Sequence, residues 1–163
     1  MRAVILNSGL GRRMGDITKH YPKCMTSLTN RDTILSRQLK MLEAAGIQDV
    51  IITTGYCDEA LMDYCASLRS RLRLQFIHNE LYATTNYIYS LYLAREHLND
   101  DILLLHGDLV FSKEVLDMVY NAATSCMAVS QTLPLPEKDF KAVVFDAGGE
   151  DGRRRRPPGG GAA

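Results

Sequence analysis

The chain has no net charge, no C-x-x-C pair and no apolar run that approaches the length of a membrane span. Each absence excludes something. With 19 basic groups against 19 acidic ones, no bulk field draws the chain to nucleic acid or to an anionic membrane. Four cysteines, Cys24, Cys57, Cys65 and Cys126, lack metal-ligand spacing and read as reduced, mostly buried thiols. The run Ala3-Val4-Ile5-Leu6 is too short for the core of a secretory signal, and no segment suits a bilayer. No Ser/His/Asp or Cys/His arrangement for nucleophilic catalysis stands out. A soluble, cytoplasmic protein is expected, with neither nucleic acid nor membrane as partner. What is present is 46% hydrophobic and 23% charged, ordinary for one globular domain with a real core.

The charge balance is uneven along the chain. Residues 148–163 hold six of the twelve glycines, two of the five prolines and four consecutive arginines. Without them, 15 basic groups face 17 acidic ones, a net charge of −2. Such a composition buries no apolar surface, so the domain is expected over 1–147 and disorder over 148–163. Four arginines would suit nucleic acid, but the abrupt low-complexity start reads as a frameshifted or artificial end without function.

Strand-like and helix-like segments alternate. Arg2–Leu6, Asp49–Gly55, Arg73–Asn79 and Asp101–Asp108 read as strands. Thr33–Ala45 places Ile34, Leu35, Leu39 and Leu42 on one helical face and stops at Gly46. Cys57–Arg71, Asn86–Leu98 and Ser112–Ala122 read as further helices, the last capped by Ser112 with Glu114 in its first turn. Cys126–Gln131 and Lys141–Phe145 are additional strand candidates. Repeated β-α units predict an α/β fold, a three-layer α/β/α, Rossmann-like, open and mostly parallel sheet. Ligands in such sheets sit beyond the carboxyl ends of strands, near a switch in strand order. The chemistry is therefore expected in 7–23, 55–56, 79–86 and 107–111.

The first of these segments, "NSGLGRRMG", breaks the opening strand into glycines. Gly9, Gly11 and Gly15 permit a left-handed backbone and the close approach of amides to an anion. Arg13 adds a bidentate phosphate donor, and Lys23, after Pro22, a mobile point charge. A P-loop would need Lys after the last glycine, and a dinucleotide fingerprint needs the third glycine one residue earlier. Both spacings fail, as does the acidic end of a second strand that an NAD site requires. The residues alone leave two readings, a phosphate loop or a glycine-rich turn with two exposed arginines. Asp108 likewise ends a buried leucine run, where a carboxylate must meet solvent or a cation. It suits a magnesium ion shared with a triphosphate, or simply a turn after a strand. The neighbouring His106 is read as structural.

These motifs resemble the nucleotidyltransferases with a nucleotide-diphospho-sugar transferase fold, whose opening motif is similar to A-A-G-x-G-x-R-[ML]-…-P-K. The match runs from Ala3 through Gly9, Gly11, Arg13 and Met14 to Pro22-Lys23, with Asn7-Ser8 in place of the usual Ala-Ala. "AAGIQDVIITTGY", "NELYATTNYIYSLYLA" and "ILLLHGDLVF" are similar to the bacterial choline-phosphate cytidylyltransferase type, and the resemblance extends to Val144. It implies that Asn7, Ser8, Gly9, Gly11, Arg13 and Lys23 hold a nucleoside triphosphate, with CTP favoured. Arg13 and Lys23 would support transfer at the α-phosphorus, and Asp108 would bind Mg²⁺. Gly55 and Tyr56 are candidates for the pyrimidine, and Asn86 and Ser90 match polar positions lining the nucleotide site. Most of the nearby rings, Tyr82, Tyr87, Tyr89 and Tyr92, are expected to be core packing on a helix covered on both sides, although one could face a quaternary ammonium.

The implied reaction moves a nucleoside monophosphate to a small phosphorylated acceptor, such as choline phosphate or a sugar phosphate, and releases pyrophosphate. Members of the family run well beyond this length, and their C-terminal part supplies a second metal-binding aspartate and much of the acceptor pocket. Neither Asp139 nor Asp146 sits in a recognisable version of that motif. The fold is thus expected to be incomplete at the C-terminus and turnover to be weak. The alternative is a non-catalytic nucleotide-binding module that has lost its acceptor half.

Overall fold

A computed structural model describes residues 1–9 and 21–129. Met1–Cys126 forms one compact unit. Four strands, β1 (Arg2–Leu6), β2 (Asp49–Thr54), β3 (Arg73–His78) and β4 (Ile102–His106), make a fully parallel sheet in the order β3-β2-β1-β4. Strand periodicity separates their side chains into two cores. Ala3, Ile5, Val50, Ile52, Leu103 and Leu105 point to one face, where they meet Leu35, Leu39, Leu42, Leu61, Cys65 and Leu116. Val4, Leu6 and Ile51 point to the other, against Tyr87, Leu91 and Ala94. The helices α1 (Ile34–Ala44), α2 (Asp58–Ser67) and α4 (Lys113–Tyr120) thus lie on one side and α3 (Tyr87–Leu93) on the other. This is the three-layer α/β/α arrangement expected from the sequence.

The topology follows from connection handedness. Right-handed crossovers place α1 and α2 on one face as the chain steps from β1 to β2 to β3. The return from β3 to β4 passes two strands in the opposite direction and puts α3 on the other face. Strand order therefore reverses between β1 and β4, the kind of switch point at whose carboxyl ends open α/β sheets bind their ligands.

Local signals fix the helix ends. Thr33 caps α1 by accepting from Ser36 N at 3.1 Å, and Ser36 Oγ accepts from Thr33 N at 2.9 Å, a reciprocal cap worth about 1 kcal/mol. At the far end Gly46 takes φ +82°. Its N–H reaches Glu43 O, and that of Ile47 reaches Leu42 O, at 3.0 and 3.1 Å, a Schellman closure that only glycine enters without strain. Ser112 caps α4 through Val115 N, as expected.

Several boundaries differ from the sequence expectation. Helix α2 stops at Ser67 rather than Arg71, because Arg69 adopts φ +49° and turns the chain into β3. Helix α3 stops at Leu93, and a separate 3-10 turn covers Arg95–His97. Cys126–Val129 is not in a strand, while 130–131, Lys141–Phe145, Asp139, Asp146 and the 148–163 tail lie outside the described residues. Only two of the cysteines, Cys24 and Cys65, are buried, and Cys126 is exposed. Nor is α3 covered on both sides. Ile88 and Tyr92 are 58% and 55% exposed, and Arg95 lies 4.4 Å over the Tyr92 ring. No helix among the described residues is long and apolar enough to cross a membrane.

Candidate active site at the β1/β4 switch

Parallel pairing brings the segments after all four strands to one edge of the sheet. Past the end of β1, Asn7 N donates to Thr53 O at 3.1 Å, and Gly107 N donates to Leu6 O at 3.0 Å. The ladder so continues one residue beyond the strands and sets Asn7 between β2 and the turn after β4. Ser8 Oγ donates to Thr53 Oγ1 at 3.0 Å, and that oxygen also accepts from Asn7 N. Asn7 and Ser8 are both more than nine-tenths buried. A Cβ at Gly107 would collide with the Asn7 carboxamide, so glycine is required by close approach rather than by its own backbone angles. Asn7 Nδ2 is buried without a partner. Gly9 is exposed, with open space where a side chain would begin.

Lys23 reaches the same edge from a 3-10 turn, Lys23–Met25. Its neighbours explain how it is aimed. Pro22 and Cys24 are buried, and Met25 N closes on Pro22 O at 2.9 Å, so two core anchors flank a lysine whose side chain is 32% exposed. Burial, with the Cys65 thiol nearby, pushes the Cys24 thiol far up from its ordinary value, as suits an anchor rather than a nucleophile. Lys23 Nζ pairs with Asp108 Oδ2 at 2.9 Å. Two residues 85 apart in sequence, both singled out from it, therefore meet at the switch point.

Asp108 occupies a tight turn, His106–Leu109, closed by Leu109 N donating to His106 O at 3.2 Å. Helix α1 holds this turn. Gln38 Nε2 donates to His106 O at 3.0 Å and to Leu109 O at 2.8 Å, and Arg37 reaches Phe111 O at 3.3 Å. Sequence reasoning missed Gln38. It interrupts an otherwise apolar helical face between Leu35 and Leu42, which was the available signal. His106 packs edge-on against Tyr87 with centroids 5.2 Å apart, consistent with a structural role.

The β2 and β3 ends supply the other wall. A Cβ on Gly55 would lie 2.7 Å from the Ser8 carbonyl oxygen and 2.7 Å from Tyr82 Cβ, so the loops after β1, β2 and β3 touch here. The following Cys57 takes φ +57° as it caps α2, a left-handed conformation uncommon for a side-chain-bearing residue. Its thiol bonds Tyr56 and pushes that phenol up. Tyr56 and Tyr82 rings are 6.4 Å apart, and His78 meets Tyr82 edge-on at 6.4 Å. Asn79 is buried and organises the 79–86 loop, donating to Thr85 Oγ1 and Ser90 Oγ, both at 3.0 Å, and accepting from Leu81 N. Ser90 is thus 1% exposed and engaged beneath the loop, whereas Asn86 is exposed and caps α3 through Ile88 N. Gly11, Arg13, Met14 and Gly15 lie outside the described residues.

Among the described residues, no three His, Cys, Asp or Glu side chains gather to hold a metal. Asp108 offers one hard carboxylate, 47% exposed. That donor set fits a Mg²⁺ ion that completes its shell with water and phosphate oxygens, and does not fit a closed protein cage.

Comparison with known proteins places this geometry. The chain is 35% identical over 149 residues to the CMP-5'-(3-aminopropyl)phosphonate synthase of Streptomyces rubellomurinus, covering 91% of this chain and 23% of that protein. It is 35% identical over 111 residues to a choline-phosphate cytidylyltransferase of Streptococcus pneumoniae, covering 68% and 46% respectively. The solved CTP:phosphocholine cytidylyltransferase from Streptococcus pneumoniae superposes with a TM-score of 0.57 at 34% identity, over 66% of this chain and 44% of that one. The chain thus spans less than half the length of each of these relatives. Its residues 3–145 match the MobA-like NTP transferase domain, and with the parallel sheet and its switch-point lysine and aspartate the chain belongs to that nucleotidyltransferase family.

Proposed function

We propose that this chain carries the nucleotide site of a cytidylyltransferase, one that moves CMP from CTP to a small phosphate or phosphonate and releases pyrophosphate. The observation that carries the reading is the meeting of Lys23 and Asp108, 2.9 Å apart, at the β1/β4 switch point. The cytidylyl group is supported by the names of relatives that share 35% identity. Choline phosphate and an aminopropylphosphonate, named for those relatives, share an anionic phosphorus group and a cationic nitrogen. The Tyr82 ring offers a π face that would attract such a cation, so acceptors of this class are favoured over sugar phosphates.

Little acid–base chemistry is asked of the protein. A phosphate monoester has a second pKa of about 6, so its oxygen is already a competent nucleophile near neutrality. It attacks the α-phosphorus in line, the bond to the β-phosphate oxygen breaks, and pyrophosphate leaves. Lys23 exchanges its carboxylate partner for phosphate oxygens and neutralises their developing charge, with Arg13 as a second, forked donor. Asp108 would hold Mg²⁺, which when bound supplies further charge neutralisation on the phosphates. Asn7, Ser8, Gly55 and Tyr56 line the floor on which the nucleoside rests. Positioning is the main contribution.

The test is pyrophosphate release from CTP with choline phosphate, (3-aminopropyl)phosphonate or glucose 1-phosphate as acceptor. Release that depends on the two ammonium-bearing acceptors is expected. Faster release with glucose 1-phosphate overturns the acceptor class, and equal release from UTP overturns the cytidine preference.

A further inference from the structure

We infer that Gln38 is the positioning residue of the metal-binding turn, setting Asp108 in place from the opposite side of the sheet edge. The inference rests on the reading of Asp108 as a Mg²⁺ ligand given above. Three observations carry it. First, Gln38 is 1% exposed on α1, yet its Nε2 donates to both His106 O and Leu109 O, at 3.0 and 2.8 Å. Those carbonyls bracket Gly107 and Asp108, so one carboxamide clamps both ends of the turn that presents the carboxylate. Its orientation is settled by chemistry, because two carbonyls can face only the NH₂ end.

Second, the side chain is a poor choice for stability alone. Gln38 Oε1 is buried without a partner, and an unpaired buried acceptor offsets what the two donated bonds contribute. An apolar residue continuing the Leu35, Leu39 and Leu42 face would pack without that penalty. Third, the turn has no freedom on its other side. The Asn7 carboxamide occupies the space over Gly107, and Leu109 N already bonds His106 O across the turn. Gln38 and Asn7 therefore grip the Gly107–Asp108 step from two faces, and only the Asp108 side chain projects outward to Lys23. Groups that orient a metal ligand without touching the metal typically affect metal affinity by ~10–100-fold.

The experiment uses Mn²⁺ as the probe, titrated by electron paramagnetic resonance into the full chain with saturating CTP. Gln38→Met keeps side-chain length and removes the clamp. Mn²⁺ affinity is expected to fall about tenfold, while CTP binding measured without metal changes less than about twofold. In an Asp108→Asn background, Gln38→Met should leave Mn²⁺ binding unchanged, which a merely structural role would not produce. A second readout needs no core substitution. The Gln38 side-chain NH₂ signals in the wild-type NMR spectrum should shift on adding Mg²⁺ with CTP, and should not do so in Asp108→Asn. Equal Mn²⁺ affinity in Gln38→Met and wild type, or Gln38 signals unmoved by Mg²⁺, would overturn the inference. Absence of any Mn²⁺ binding in wild type would instead overturn the metal reading of Asp108 beneath it.

Discussion

Replacing Gly107 by alanine should damage the fold through one side chain, and removing that side chain should repair it. The three heavy atoms nearest to a Cβ at this position all belong to the Asn7 carboxamide. Asn7 is more than nine-tenths buried, so the carboxamide has little room to swing away, and overpacking of this kind costs ~1–3 kcal/mol. Asn7→Ala by itself should be close to neutral. It gives up packing, but it also removes Nδ2, a buried donor with no partner, whose desolvation costs ~1–3 kcal/mol. In the double variant the new methyl enters the vacated space. Urea denaturation of the four proteins should yield a coupling of ~1–3 kcal/mol, with the double variant more stable than Gly107→Ala. A Gly107→Ala cost below about 0.5 kcal/mol, or a double variant no better than the single one, would refute the interlock.

Gly55→Ala should behave differently, because its two nearest obstacles, both 2.7 Å from the new carbon, are the backbone carbonyl oxygen of Ser8 and Tyr82 Cβ, an atom that Tyr82→Ala leaves in place. Backbone cannot step aside, so a loss of ~1–3 kcal/mol is expected that Tyr82→Ala does not restore; full rescue by Tyr82→Ala would contradict this. Thiol labelling at pH 8 should find Cys126 fast and Cys24 and Cys65 slow. Burial removes access and pushes the Cys65 thiol up to about 11 and Cys24 further still. A raised pKa leaves less thiolate at that pH. Fast native-state labelling of Cys24 would mean that the anchor beside Lys23 is not buried.

Much of this organisation was legible in the sequence because it follows from local periodicity. The β-branched run of Asp49–Thr54 sits in the middle of the sheet, and the Leu35, Leu39 and Leu42 stripe with its Thr33 and Gly46 ends gave α1. Lys23 and Asp108 were identified one at a time, by a Pro-Lys step and by an aspartate ending a leucine run. Their contact was not readable, since it depends on a strand order that reverses between β1 and β4. Gln38 escaped for the same reason. Its break in the apolar face of α1 marks it as unusual, but its meaning lies in two carbonyls 68 and 71 residues away. The early stop of α2 at Ser67 was hidden too, because a left-handed arginine at position 69 is set by the entry into β3 rather than by propensity. Ser90 was read as a polar position lining the nucleotide site, and only the fold shows its hydroxyl accepting from Asn79 beneath the loop.

The most direct test of the central claim is calorimetric titration of CTP into wild type, Lys23→Ala and Asp108→Asn, each with and without Mg²⁺. A charged hydrogen-bonded contact is worth ~1.5–3 kcal/mol, so Lys23→Ala should weaken CTP binding about tenfold or more in both conditions. Thermal stability should barely move, since a half-exposed ion pair contributes only ~0–1 kcal/mol. Asp108→Asn should lose only the Mg²⁺-dependent part of the affinity. CTP binding unaffected by both substitutions, with and without Mg²⁺, would contradict a nucleotide site built around Lys23 and Asp108.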